Sequence, residues 1–187
     1  QRIGPYELDV SLGPGFWAGK RVVELGAGTG LASITAALLG ATVVATDGDA
    51  QVLTLASANA QDNLGSGGAA ASFSTATLTW GRPLPSALLG ADVVVGADLT
   101  YRRDAWPALV QTLRALRAPT LLSASERRPN ELGDLQAFLT AARLRYTVLD
   151  SPLRRGYAAE KVKIFRIETP GEERCELDSA SEPVASR

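Results

Sequence analysis

The 187-residue sequence contains no histidine and no methionine, and its single cysteine is Cys175. Without histidine there is no Ser-His or Cys-His nucleophile pair, no His-ligated zinc and no imidazole acid or base. One cysteine excludes a disulfide framework within the chain and fits a reducing compartment, so a cytoplasmic protein without a metal centre is expected. No apolar run reaches the roughly 18 residues that span a bilayer. The N-terminus also lacks the charged-then-apolar pattern of a secretory leader, so a soluble protein with no membrane partner is expected. The absence of methionine even at position 1 leads to the expectation that the sequence starts inside a longer natural one or has been processed.

Charge of one sign is lacking as well, with 19 Lys plus Arg against 20 Asp plus Glu. From Glu168 onward there are six acids and two bases, which leaves residues 1–167 with 17 bases and 14 acids. A mildly basic body can meet an acidic protein surface. No run of Lys and Arg interleaved with aromatics marks a nucleic-acid groove, and none is expected. With 45% hydrophobic residues the chain can bury one core but not two. A single monomeric domain over residues 1–168 is expected, followed by a disordered acidic tail over 169–187 that is rich in Pro, Glu and Ser.

What is present is an alternation of short apolar runs with helical patterns. Residues 20–25 and 42–46 read as strands flanking a helix from Leu31 to Leu39, and their continuous apolar character suits a parallel sheet covered on both faces. A helix from Asp49 to Leu64 follows, with Val52, Leu53, Ala56, Ala60 and Leu64 on one face, stopping at Gly65-Ser66-Gly67-Gly68. Further strands are expected at 73–80, 92–97 and 120–123. Helices are expected from near Asp104, with Pro107 in the first turn, and from Glu131 to Ala142. Arg145–Leu149 and Val162–Ile167 read as an antiparallel pair at one sheet edge. The fold class is therefore α/β, Rossmann-like, with a seven-stranded, mostly parallel sheet, an antiparallel C-terminal hairpin and helices on both faces.

The most informative segment is Glu24-Leu25-Gly26-Ala27-Gly28-Thr29-Gly30, between the first strand and the first helix. Gly26 and Gly28 allow a tight turn and let a ligand lie on the backbone, while Gly30 permits close packing of the helix start. A dinucleotide site also follows the first strand, but its third glycine would fall where Leu31 stands. The spacing favours a nucleoside ligand without a pyrophosphate. Asp47 ends the second strand, where a carboxylate can accept hydrogen bonds from both ribose hydroxyls or cap the next helix. Glu24 is a charge in an apolar run and needs a partner, either a ligand ammonium or loop amides.

These pieces resemble the family-16 seven-β-strand protein lysine methyltransferases over about Gly19 to Leu139. The resemblance is carried by V-E-L-G-A-G-T-G-L at 23–31, T-D-G-D at 46–49, Asn59 and Asn63, L-T-W-G at 78–81, G-A-D-L-T-Y at 96–101 and S-A-S-E-R-R at 123–128. It implies methyl transfer from S-adenosylmethionine, with S-adenosylhomocysteine as product, to a lysine ε-amine of a protein substrate. By analogy with the family that substrate is a chaperone or translation factor. The resemblance also sets Trp80 by the adenine and Ala97 beside the cofactor, adding to Glu24, Gly26, Ala27, Gly28, Gly30 and Asp47 as cofactor-binding positions.

Asp98 and Tyr101 are the candidate catalytic pair. At the same sheet edge Asp98 can orient the incoming ε-amine and accept a hydrogen bond from it, while Tyr101 walls the acceptor channel and offers its ring face to the cation. The competing account has Asp98 capping the next helix and Tyr101 packing on the sheet. Glu126 and Arg127, with Arg128, follow strand five on the same rim and are candidate substrate-protein contacts. Two alternatives remain at this point, a methyltransferase acting on a small molecule or nucleic acid and a non-catalytic nucleoside-binding module. Against nucleic acid, Asp98-Leu99-Thr100-Tyr101 stands where base-amine enzymes often carry Asn-Pro-Pro-aromatic. One departure from the family is clear: its Gly-x-x-x-Trp segment lies well before the glycine loop, and Trp17 is too close to the first strand to be its equivalent. Either those residues are missing from this chain or the N-terminal lid differs.

Overall fold

The computed structural model describes residues 15–65, 72–149 and 161–169. Seven strands form one sheet: β1 (Arg21–Leu25), β2 (Thr42–Asp47), β3 (Phe73–Thr77), β4 (Val93–Ala97), β5 (Thr120–Ser125), β6 (Arg145–Leu149) and β7 (Val162–Glu168). Among the described residues four helices join them: α1 (Leu31–Leu38), α2 (Ala50–Leu64), α3 (Trp106–Leu116) and α4 (Glu131–Ala141). The strand order is β3-β2-β1-β4-β5-β7-β6. Strands β1 to β5 pair in parallel, whereas β7 runs antiparallel to both β5 and β6. This is the Rossmann-like arrangement expected above, and the hairpin folds back so that its second strand lies inside the sheet and its first at the edge.

The apolar runs are continuous because successive residues face opposite helix layers. Val23, Val44, Val94 and Leu122 belong to the core under α3 and α4, with Trp106, Leu109, Leu113, Leu135 and Leu139. Their neighbours Val22, Val43, Val93 and Leu121 belong to the core under α1 and α2, with Ile34, Ala37, Ala60 and Leu64. A parallel sheet covered on both faces requires this pattern. Trp17 is buried in the second of these cores, against α1 and α2.

Several boundaries differ from the sequence reading. The third strand ends at Thr77 and not at residue 80, because the chain turns at Trp80-Gly81, where Gly81 has φ 77°. The fifth strand runs on to Ser125, held by its pairing with Val162 across the antiparallel ladder. Residues Arg103–Ala105 form a short 3-10 turn, so α3 begins at Trp106, with Pro107 in its first turn. A second such turn, Ser86–Leu88, was not expected. Asp49 is the N-cap of α2, its carboxylate accepting from the Gln51 amide at 2.8 Å. Thr169 is buried, while the expected tail from residue 170, Ser66–Gly68 and Cys175 lie outside the described residues.

Candidate active site

The chain runs β1 to β2 to β3 toward one side of the sheet and β4 to β5 toward the other, so β1 and β4 flank the switch point. In open α/β sheets the loops leaving such neighbouring strands at their C-terminal ends diverge and leave a crevice for a ligand. Here those loops are 26–30 after β1 and 98–105 after β4.

Gly26, Gly28 and Gly30 all lie in the left-handed region, with φ of 59°, 55° and 84°, which L side chains rarely adopt. Their surroundings differ. A β-carbon on Gly30 would meet the Ala56 β-carbon at 3.2 Å, so this glycine sets the packing of α1 against α2. A β-carbon on Gly28 would meet none of the described residues within 4 Å, so backbone is presented free of them there. The Ala27 amide donates to the Thr46 carbonyl at 2.8 Å and Asn59 Nδ2 donates to the Thr29 carbonyl at 2.9 Å, fixing the loop to β2 and α2. Sequence reasoning noted Asn59 only as part of a pattern; its role as a tether for the glycine loop needs the fold.

Asp47 joins two loops. One carboxylate oxygen accepts from the Gly28 amide and the other from the Asp49 amide, both at 3.1 Å. Glu24 is 3% exposed, and its Oε2 accepts from the Ser33 amide in the first turn of α1 at 2.9 Å. Burial pushes its carboxyl up to about 7, against the opposing pull of the Ser33 hydrogen bonds. Glu24 is thus partnered by a backbone amide, supplied by the first turn of α1 and not by the glycine loop itself.

Trp80 is partly buried against the core, with its ring 3.8 Å from where a Gly26 β-carbon would stand. The Gly81 amide donates to Thr112 Oγ1 on α3 at 2.9 Å, which anchors the Trp-Gly turn. Ala97 is the exposed last residue of β4. Between these positions lies Leu99, buried, whose two methyls stand 2.5 Å and 2.7 Å from ideal β-carbons on Gly26 and Gly96. Leu99 therefore occupies the space that both glycines leave, a packing role that its place in the G-A-D-L-T-Y motif did not disclose.

Asp98 follows β4 in a left-handed conformation, φ 59°, with its amide donating to the Ser123 carbonyl at 2.9 Å. Its carboxylate pairs with the Arg127 guanidinium, and that guanidinium lies 5.6 Å from the centre of the Tyr101 ring. Tyr101 is 50% exposed and does not pack on the sheet. Nor does Asp98 cap α3, which has no side-chain cap. The structure thus brings Asp98, Tyr101 and Arg127 together at the rim. The Glu126 amide donates to the Lys161 carbonyl at 2.6 Å, before β7. Glu131 is a further contributor: buried at the start of α4, its Oε2 accepts from the amides of Arg127 at 2.8 Å and Arg128 at 3.2 Å. A carboxylate at the first residue of a helix was its only sequence signal. The Arg103–Asp134 ion pair ties the short turn before α3 to the first turn of α4.

The arrangement defines a class first. The structure is similar to magnesium protoporphyrin IX methyltransferase from Synechocystis PCC 6803, solved with bound SAM, with TM-score 0.63, 20% identity and coverage of 85% of this chain and 74% of that one. That likeness gives the fold. Residues 12–141 match the family described as lysine methyltransferase. The chain belongs to that family. Among its relatives, protein N-lysine methyltransferase METTL21A of Danio rerio is 42% identical over 134 residues, 70% of this chain and 59% of that protein. EEF1A lysine methyltransferase 3 of Xenopus tropicalis is 36% identical over 124 residues, 64% of this chain and 52% of that protein. The chain thus spans between half and three fifths of the length of these curated relatives. No helix among the described residues is long and apolar enough to cross a membrane.

Proposed function

We propose that this chain carries the catalytic core of an S-adenosylmethionine-dependent protein-lysine methyltransferase. The observation that supports the reading most is the contact of Leu99 with Gly26, which sets the Asp98–Tyr101 loop directly against the glycine loop. Open backbone over Gly28, the Trp80 face and the Asp47 carboxylate fit a nucleoside ligand, with Ala27 and Ala97 lining its edges and Glu24 holding α1 beneath. Asp47 retains lone pairs for ribose hydroxyls beyond the two amides it already serves.

When bound, S-adenosylmethionine supplies an electrophilic methyl group on a sulfonium. The residues of this chain align the acceptor and keep it neutral. A lysine amine has an ordinary pKa of about 10.4 and attacks only after losing its proton, which desolvation in the crevice favours. Asp98 accepts a hydrogen bond from that amine and fixes its direction. Tyr101 walls the channel and Glu126 and Arg127 contact the substrate protein. The relatives' names speak for a protein acceptor, which one of them gives as EEF1A, and the family resemblance favours a chaperone or translation factor. The reading takes the enzyme to be a cytoplasmic monomer, and the lone cysteine supports the reducing compartment.

The test pairs two measurements on Asp98→Ala and Tyr101→Ala, the second of which removes the ring itself. Both variants are expected to bind S-adenosylhomocysteine as the parent chain does and to lose most methyl transfer. A variant that keeps full turnover removes its residue from the mechanism.

A further inference from the structure

Arg127 sits where the acceptor lysine of the reading above would first arrive, as its ammonium and before desolvation takes its proton. Its guanidinium pairs with Asp98 and lies 5.6 Å from the centre of the Tyr101 ring, the two groups assigned there to the lysine. A guanidinium and an ammonium make the same demand, a carboxylate and a ring face, so the two cations compete for one seat. The present occupant is held loosely. The Arg127 and Asp98 side chains are 51% and 43% exposed, and ion pairs in that setting are weak and screened by salt. Only the side chain has to move, since Glu131 holds the Arg127 and Arg128 amides in place.

Once displaced, Arg127 finds few partners among the described residues of the rim. Asp104 is paired with Arg102 and Asp134 with Arg103. Glu131 already serves two amides, and Glu126 can offset only one of the two neighbouring guanidiniums. The segment Glu126-Arg127-Arg128 is then left with a surplus positive charge facing the incoming chain. We propose that Arg127 holds the acceptor seat in the free protein, and that an entering lysine displaces it while a carboxylate on the same substrate segment takes up the released guanidinium. The preferred acceptor is thus a lysine with an acidic neighbour. This inference rests on the assignment of Asp98 and Tyr101 to the acceptor, and it adds a substrate class to that assignment.

The experiment uses two synthetic peptides, identical except that their single lysine is flanked by Glu in one and Gln in the other. Their binding to this chain with S-adenosylhomocysteine is measured by calorimetry, for the parent and for Arg127→Ala, at low and high salt. The Glu peptide is expected to bind the parent about three- to tenfold more tightly, with the margin shrinking in salt. In Arg127→Ala the margin should vanish, and the Gln peptide should bind more tightly than it does to the parent because the seat is vacated. Arg127→Gln serves the same purpose if the alanine variant does not fold. Equal behaviour of the two peptides toward the parent, absence of binding included, overturns the proposal, as does a margin that survives in Arg127→Ala. Methyl transfer to both peptides at equal rates would sink the seat exchange and leave the methyltransferase reading standing. Flank-dependent binding with no methyl transfer would do the reverse.

Discussion

Leu99 reaches from the loop after β4 into the space left by Gly26, one methyl standing 2.5 Å from where a Gly26 β-carbon would be. The glycine loop and the loop after β4 are thereby packed as one unit. Gly26→Ala both strains a left-handed backbone and forces Leu99 aside, so a loss of about 1–3 kcal/mol is expected in urea unfolding. Leu99→Ala removes a buried side chain and should cost about 2–5 kcal/mol, with weaker S-adenosylhomocysteine binding. Unchanged stability in Gly26→Ala would contradict this packing.

Glu24 makes stability depend on pH. Burial raises its carboxyl from 4.5 to about 7, so between those values the folded protein holds a proton that the unfolded chain has lost. The contribution is fully present below pH 4.5 and is lost as pH rises through about 7. Its size is on the order of a few kcal/mol at most. Glu24→Gln keeps an oxygen for the Ser33 amide and removes the charge. It should flatten stability over that window and equal or exceed the parent at pH 8 in thermal unfolding. An unaltered slope would assign the pH dependence elsewhere.

Glu131 acts on the site through the backbone of Arg127 and Arg128. Glu131→Ala leaves two amides without their acceptor and is expected to cost about 1–3 kcal/mol. The readout that separates positioning from bulk stability is amide hydrogen exchange. Protection at 127 and 128 should fall while that of β1 and β4 holds, and Glu131→Gln should recover much of it. In turnover, the effect should appear as a raised KM for the acceptor more than a lowered kcat. Equal exchange in the parent and Glu131→Ala would remove Glu131 from the role.

The sheet was legible in the sequence because burial on both faces leaves a local mark: Val22-Val23, Val43-Val44 and Val93-Val94-Val95 are apolar without alternation. The glycine loop was legible because positive φ demands glycine at fixed positions. Boundaries were missed where a distant partner decides them. Trp80 left the third strand because Gly81 docks on Thr112, and β5 lengthened because β7 pairs with its end. The rim was harder still. Asp98 and Arg127 are 29 positions apart, and nothing in either segment specifies their contact. Leu99 reads as an ordinary leucine until Gly26 and Gly96 are seen around it.

Passage of a methyl group from S-adenosylmethionine to a lysine ε-amine is the reaction on which the proposed function stands. Incubating this chain with isotopically labelled S-adenosylmethionine and a cell extract, then locating the label by mass spectrometry, tests it most directly. The predicted result is label on lysine side chains of protein, absent when Asp98→Ala replaces the parent. Label confined to RNA or small metabolites, with none on protein lysine, would contradict it.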